Sequence, residues 1–476
     1  MFVWGMSLLL LSYSTRAQNA ADTGKVWSLK QCIDSALKNN PTVKGVEFTA
    51  RTAQLNWQQQ RATMLPSVSA YANYGSNAGK SINNYTNTYV NEQYNSGYAQ
   101  VTGSLVLFNG FSIQNFIRQY ALNYQADKMD WQQAKDQMTI NVILAYLSVL
   151  STQEQLNLAQ QQADATLKKV GFMETQNNEG AIAPSDLTDI KGQLGSDELT
   201  VVTTKNSLEA FKLSLAQLMN VPYSPTMQIE PLGQDLTPTA YDATVDQIFQ
   251  NARQNLAQVK AATLHLASAE KGVQATRGNM APTLALQGQV NTNYSTAATT
   301  QPYLNTTDAQ TKQYVTVGGT KEFVFSPTDN FGPSQKISFN DQFNNNVFTF
   351  VGLSLNIPIL NGLKLRTQYK QAQVTRDQAA FTANTTLITL RQAVESYYVT
   401  MMSDFRSYSI LAKQVQNYEE SYRAAEIKYD AGALKSLDYI IYKTNVDKAR
   451  LNFIASKYNY ILQTKVLDYF QGKLSW

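Results

Sequence analysis

From Leu363 to Ala431 the chain reads LKLRTQYKQAQVTRDQAAFTANTTLITLRQAVESYYVTMMSDFRSYSILAKQVQNYEESYRAAEIKYDA, 69 residues without a Pro or a Gly. Pro breaks helix interiors and Gly weakens them, so this stretch reads as one helix, about 100 Å long at about 1.5 Å per residue. Asn361-Gly362 stands before it and Gly432-Ala433 after it. The same frame occurs earlier: Asn109-Gly110, then 69 residues interrupted only by Gly171, then Gly180-Ala181. The offset is 252 at both ends, so the chain contains one long rod twice. Helices of that length are far outside the range of compact domains.

Working outward, each rod has the same neighbours. Leading helices are expected over Leu29–Leu65, apart from Pro41 early on and closed by Pro66, and over Val245–Ala281, closed by Pro282. Asn39, Val43, Lys44, Arg61, Met64 and Pro66 return as Asn255, Val259, Lys260, Arg277, Met280 and Pro282, at offset 216. The two offsets differ by 36 residues, which locates an insertion between Pro282 and Asn361. After the glycine turns, return helices are expected over about 185–220 and 436–471, each capped by Ser185 or Ser436 and the aspartate that follows. A return helix and a leading helix together match the length of one rod in both copies. The repeats therefore span 25–220 and 242–475, with a linker at 221–241.

Between leading helix and rod the period changes to two. Leu284, Leu286 and Val290 alternate with Gln287, Gln289 and Asn291, and Val347, Val351, Leu353, Leu355 and Ile357 face away from Phe348, Ser354 and Asn356. Val68, Ala70, Ala72 and Tyr74 alternate with Ser67, Ser69 and Asn73, and Val101, Leu105 and Leu107 with Gln100, Thr102 and Ser104. Strands are expected at about 67–75, 98–108, 283–294 and 346–358, each with one apolar and one polar face, a pattern shared with membrane barrel strands. The connections at about 76–96 and 296–345 read as polar loops, the second taking up the insertion, with its role open.

Val142, Val149, Leu156, Ala163 and Val170, and Val394, Met401, Tyr408, Val415, Tyr422 and Tyr429, recur every seven residues. That period implies left-handed winding against other helices, which an ordinary antiparallel coiled coil would satisfy equally. Four strands cannot close a barrel, and open edges are not tolerated in lipid. A membrane role therefore requires oligomerisation; two chains would supply eight strands and three would supply twelve.

Composition excludes several classes. Net charge is +4, with 39 basic and 35 acidic residues interspersed, so nucleic acid is not an expected partner. One cysteine, Cys32, and one histidine, His265, give no disulfide framework, no Cys/His metal set and no nucleophile pair. Both read as ordinary helix residues; no catalytic residue, cofactor or metal is expected, and the chain is not read as an enzyme. Ser7–Leu11 is apolar and is followed by Ser14-Thr15-Arg16-Ala17, which reads as a signal peptide cleaved after Ala17.

Duplicated halves, the helix-hairpin-helix order, Leu107-Phe108-Asn109-Gly110 with Ile359-Leu360-Asn361-Gly362, and Gly-x5-Asp at both turns (Gly180 to Asp186, Gly432 to Asp438) resemble the TolC-type outer-membrane efflux factors. The resemblance covers essentially the whole chain after the signal. It implies a mainly α fold with a small β part, forming as a homotrimer a 12-strand β-barrel in outer-membrane lipid continued by a long periplasmic α-helical barrel, with 221–241 in the equatorial region. It implies an outer-membrane channel of a tripartite efflux or type I secretion system. Such a channel passively conducts cargo delivered by a periplasmic adaptor and an inner-membrane transporter, in a Gram-negative bacterium.

By the same resemblance Tyr429 matches a gate tyrosine, Asp186 an aspartate that holds the entrance closed, and Asp438 a ring aspartate at the constriction. Gly180, Ala181, Ser185, Gly432, Ala433, Leu434 and Ser436 fall on the tip turns that meet the adaptor. Two positions depart from the pattern: Leu434 replaces the gate arginine and Ile441 a second ring aspartate. The competing reading is a soluble periplasmic coiled-coil adaptor or scaffold, which would have no use for four amphipathic strands.

Overall fold

A computed structural model describes residues 26–83, 87–91, 93–232 and 237–473. The expected signal peptide at 1–17 and part of the linker, 233–236, lie outside the described residues. The chain divides into two compact units.

The first unit comprises residues 26–54, 122–266 and 378–473 and is helical. It contains the short parallel pair β1 (Val26–Trp27) and β6 (Gln228–Ile229), and α1 (Leu29–Asn39) with the first part of α2 (Pro41–Ala62). It also holds most of α3 (Ser112–Asn178), all of α4 (Pro184–Met219) and α5 (Val245–Asn255), and the first part of α6 (Ala257–Gly278). Most of α8 (Lys364–Asp430) and the whole of α9 (Ser436–Phe470) complete it. The rods α3 and α8 are 67 residues each, uninterrupted even at Gly171. Heptad residues Val142, Val149, Leu156 and Val170 of α3, and Val394 and Met401 of α8, are buried. Tyr146, fully inside this core, donates its hydroxyl to the backbone oxygens of Trp27 and Glu230, fixing the β1–β6 pair against α3.

The leading helices are not continuous. α1 and α2 break at Asn40, before Pro41, and α5 and α6 break at the equivalent Leu256, where there is no proline. Both residues are extended, with ψ of 125° and 134°. Asn40 donates to the oxygen of Leu218 while its own oxygen accepts from the N–H of Thr42; Leu256 is buried in the core. A break at the same repeat position with two different side chains is a consequence of packing, and proline only accommodates it in the first copy. The first helix of each pair has a capping box, Ser28 with Gln31 and Thr244 with Gln247.

The second unit comprises residues 55–121 and 267–377 and carries the sheet. β2 (Ser67–Asn77), β5 (Tyr94–Phe108), β7 (Thr283–Ser295) and β12 (Phe348–Asn356) pair antiparallel in the order β12-β7-β5-β2. The hairpins share one register: Ser67 faces Ser104 in the first, and Thr283 faces Asn356 in the second, the same residues moved by 216 and 252. Gly110, with φ +65°, and Gly278 allow the start of α3 to approach the end of α6; a Cβ on Gly110 would sit 2.5 Å from the oxygen of Gly278. Ser112 seals that joint by donating to Asn279 Oδ1 at 2.6 Å.

The segments expected as loops are partly strand. β3 (Lys80–Asn83) and β4 (Thr88–Asn91) form a small hairpin within 76–96. Within 296–345 lie β8 (Thr299–Thr300) paired with β11 (Gln335–Lys336), the long hairpin β9 (Tyr303–Val317) and β10 (Thr320–Phe331), and α7 (Phe339–Asn345). β9 and β10 are almost wholly exposed on both faces, so their Thr- and Asn-rich sequence lacks the one-sided apolar alternation that marks a half-buried strand.

Candidate functional site

The two interhelical turns are built alike. Gly180 and Gly432 have φ of +74° and +71°; Ala181 donates to Gln176 and Ala433 to Lys428, closing α3 and α8 in the same left-handed cap. The helices that follow start earlier than the serine caps would require, by two residues at α4 and by one at α9. The N-cap of α4 is Ala183 and that of α9 is Lys435, neither with a side-chain bond, and Ser185 and Ser436 lie inside their helices. Pro184 explains the first case, since its fixed φ suits the first helical position.

Freed from capping, Ser436 faces α4. Its hydroxyl lies 2.7 Å from Asp186 Oδ1 and 2.8 Å from Asp189 Oδ2, and it is buried while Asp189 is exposed. One hydroxyl proton serves two carboxylates, so the two turns are joined through Ser436 rather than through an arginine. Leu434 packs on a small core of Val170, Met173, Ile190 and Tyr439.

Tyr429 lies in the same core. Its ring stacks on Tyr439 at 4.6 Å, and its hydroxyl donates to Met173 Sδ at 3.2 Å. Tyr439 in turn shares a 2.8 Å hydrogen bond with Tyr422. Burial pushes the Tyr429 hydroxyl up to about 12, with Asp186 adding to the effect, so it remains a neutral donor at any physiological pH. Lys169 is ion-paired with Asp430 and lies 5.0 Å from the Tyr429 ring centre, bringing α3, α8 and α9 together. Asp438, in the first turn of α9, is exposed, as are Leu437 and Ile441. The cluster therefore brings together Tyr429, Asp186, Leu434 and Ser436, and leaves Asp438 apart from it and exposed.

Further along α9 is a charged group that sequence reading passed over. Lys443 is 5% exposed and donates to Asp197 of α4 at 2.8 Å and to Asp447 at 2.5 Å. Asp197 also accepts from Thr166 at 2.6 Å and Gln193 at 2.7 Å. Burial raises Asp447 above the usual carboxylate range, and Lys443 draws it partly back.

The sheet sorts its faces. Leu105, Leu286 and Leu353 are aligned across three strands on one face, as are Ala70, Val101 and Val290. On the other, Gln100 bonds Gln289 at 3.1 Å and Ser69 bonds Thr102 at 2.8 Å. Much of the apolar face is bare, with Val101, Val290, Val351, Leu353 and Leu355 all exposed, while α7 covers its end at Thr292 and Tyr294. β2 and β12 are edges with unpaired ladders. No helix among the described residues is long and apolar enough to cross a membrane.

The family model described as "Outer membrane efflux protein" matches residues 32–221 and 248–468, almost the whole of both repeats. The chain belongs to that family. It is 23% identical to Outer membrane protein TolC of Escherichia coli strain K12 over 465 residues, covering 96% of this chain and 83% of that protein. Its fold is that of the Campylobacter jejuni CmeC outer membrane channel (TM-score 0.73, 16% identity, 94% of this chain and 85% of that one). The Vibrio cholerae outer membrane protein VceC is similarly close (TM-score 0.72, 14% identity, 93% and 96%). The family is one of outer-membrane efflux channels, and membership sets aside the soluble adaptor.

Proposed function

We propose that three copies of this chain close their sheets into one twelve-stranded outer-membrane barrel, and that the channel takes cargo from an inner-membrane transporter through a periplasmic adaptor seated on the Gly180 and Gly432 turns. The two repeats, 25–220 and 242–475, would contribute two strands each, after removal of residues 1–17. In this reading the cluster of Tyr429, Asp186 and Ser436 holds the periplasmic end closed, and Asp438 from each copy rings the pore.

One observation carries the assembly. Within the chain the two repeats are already joined, β5 to β7, with Val101 opposite Val290. Because the hairpins obey the same register under the repeat offsets, the open edges β12 and β2 are equivalent to β5 and β7. A neighbouring copy can therefore continue the sheet by the same joint. Moving Val101 by 252 gives Leu353, and moving Val290 by 216 gives Tyr74. Both are exposed edge residues on the apolar face.

The test is a Leu353→Cys/Tyr74→Cys variant oxidised in outer membranes. Opposed residues in an antiparallel ladder have Cα atoms about 4.5–5.5 Å apart, within disulfide reach, and Cys32 is fully buried and out of competition. The expected product is a ladder ending at the covalent trimer, absent from each single variant. A ladder ending at the dimer would favour eight strands, and no crosslink would overturn the joint.

A further inference from the structure

The single histidine is placed where composition gave no reason to look. His265 on α6 faces Asp127 and Asp130 of α3, which are three apart and so lie on one helix face. His265 Nε2 is 2.8 Å from Asp130 Oδ2 and 3.9 Å from Asp127 Oδ1, and one donor atom from each residue lies within 4.8 Å of the other two. Donors around a tetrahedral ion at about 2.0–2.2 Å are about 3.4 Å apart, between these two distances. Asp127 is aimed from behind: Asn123 donates to its Oδ2 at 3.2 Å, leaving Oδ1 toward the histidine. Ligating carboxylates are commonly oriented in this way.

We propose that Asp127, Asp130 and His265 form a site for a divalent first-row transition ion, Zn2+ among them, that ties α3 of the first repeat to α6 of the second. An imidazole with two carboxylates suits such an ion better than Mg2+ or Ca2+, which prefer all-oxygen shells. The ion takes the place of the proton shared by His265 and Asp130, and that proton leaves to solvent. Three protein donors leave a fourth position for water, and partial exposure of His265 (39%) and Asp130 (37%) gives it access.

The experiment uses the full chain in detergent, without a histidine tag, stripped by chelator and dialysed against Zn2+ alone. About one Zn2+ per chain should be retained, with a rise in melting temperature. His265→Ala should abolish retention. Asp127→Asn and Asp130→Asn, which keep side-chain shape, should each weaken it by at least about 100-fold, and Asn123→Ala by about ten-fold. Circular dichroism and gel filtration establish that each variant is folded, and the Asn variants decide the matter if His265→Ala is not. No Zn2+ on the parent chain, or unchanged retention in both Asn variants, overturns the site.

Discussion

In the proposed gate, Ser436 makes the contact that the resemblance gives to an arginine. With Leu434 where the resemblance implies an arginine, the charge that would bind α4 to the second turn is missing, and a hydroxyl supplies the contact to Asp186 and Asp189. A hydrogen bond to a charged group is worth about 1.5–3 kcal/mol, which shifts a closed–open equilibrium at least about ten-fold in each copy. Ser436→Ala should therefore raise the open probability of single channels in planar bilayers without altering the melting temperature of the assembly by more than a few degrees. Tyr429→Phe, which loses only the donor to Met173 and keeps the stack on Tyr439, should have a smaller effect. If Ser436→Ala channels stay as closed as the parent, the serine is a packing residue and the closed end is held by the Tyr429 core alone.

At the scale of elements, Lys443 joins α9 to α4 through Asp197. Removing one member of a buried ion pair leaves the other charged and dry, at a cost of about 3–5 kcal/mol, whereas replacing the whole group by apolar residues can be neutral. Lys443→Met should thus lower the urea midpoint strongly, and Lys443→Met combined with Asp197→Leu and Asp447→Leu should recover most of the loss. The long elements were legible because their signal is negative: no proline and almost no glycine over 69 residues, then a glycine with positive φ at each end of the count. Strand alternation at 283–291 was equally plain. What escaped depends on contacts across the fold. Leu256 looks like any helical leucine, and only packing breaks the helix there. The hairpin from Tyr303 to Phe331 has no buried face and so no periodicity to read. Lys443 did leave a trace, because it lies on the buried stripe of Tyr439, Val446 and Ala449, where a charge requires a partner. His265 left none, since its carboxylates lie 135 residues away or more.

For the whole molecule, the decisive asymmetry is between the two faces of the sheet, because assembly and membrane insertion depend on which one meets lipid. Leu353 and Ser354 are neighbours on β12 and point to opposite sides. If the face of Leu105, Leu286 and Leu353 is lipid-facing, an arginine there costs about 2–4 kcal/mol per strand near the midplane, and a trimer bears that cost three times. The same arginine at Ser354 would stand in water opposite Ala285, with Gln287 diagonal to it. Leu353→Arg should therefore leave the helical unit folded, as read by circular dichroism, but abolish heat-resistant trimers in the outer membrane. Ser354→Arg should assemble normally and shift the channel's ion selectivity toward anions in reversal-potential measurements. Equal tolerance of both substitutions would mean that neither face touches lipid, and the sheet would have to be covered by protein. The opposite ranking would turn the barrel inside out, with the glutamine face outward, an arrangement that strands the bonded Gln100–Gln289 pair in hydrocarbon and leaves the leucines lining water.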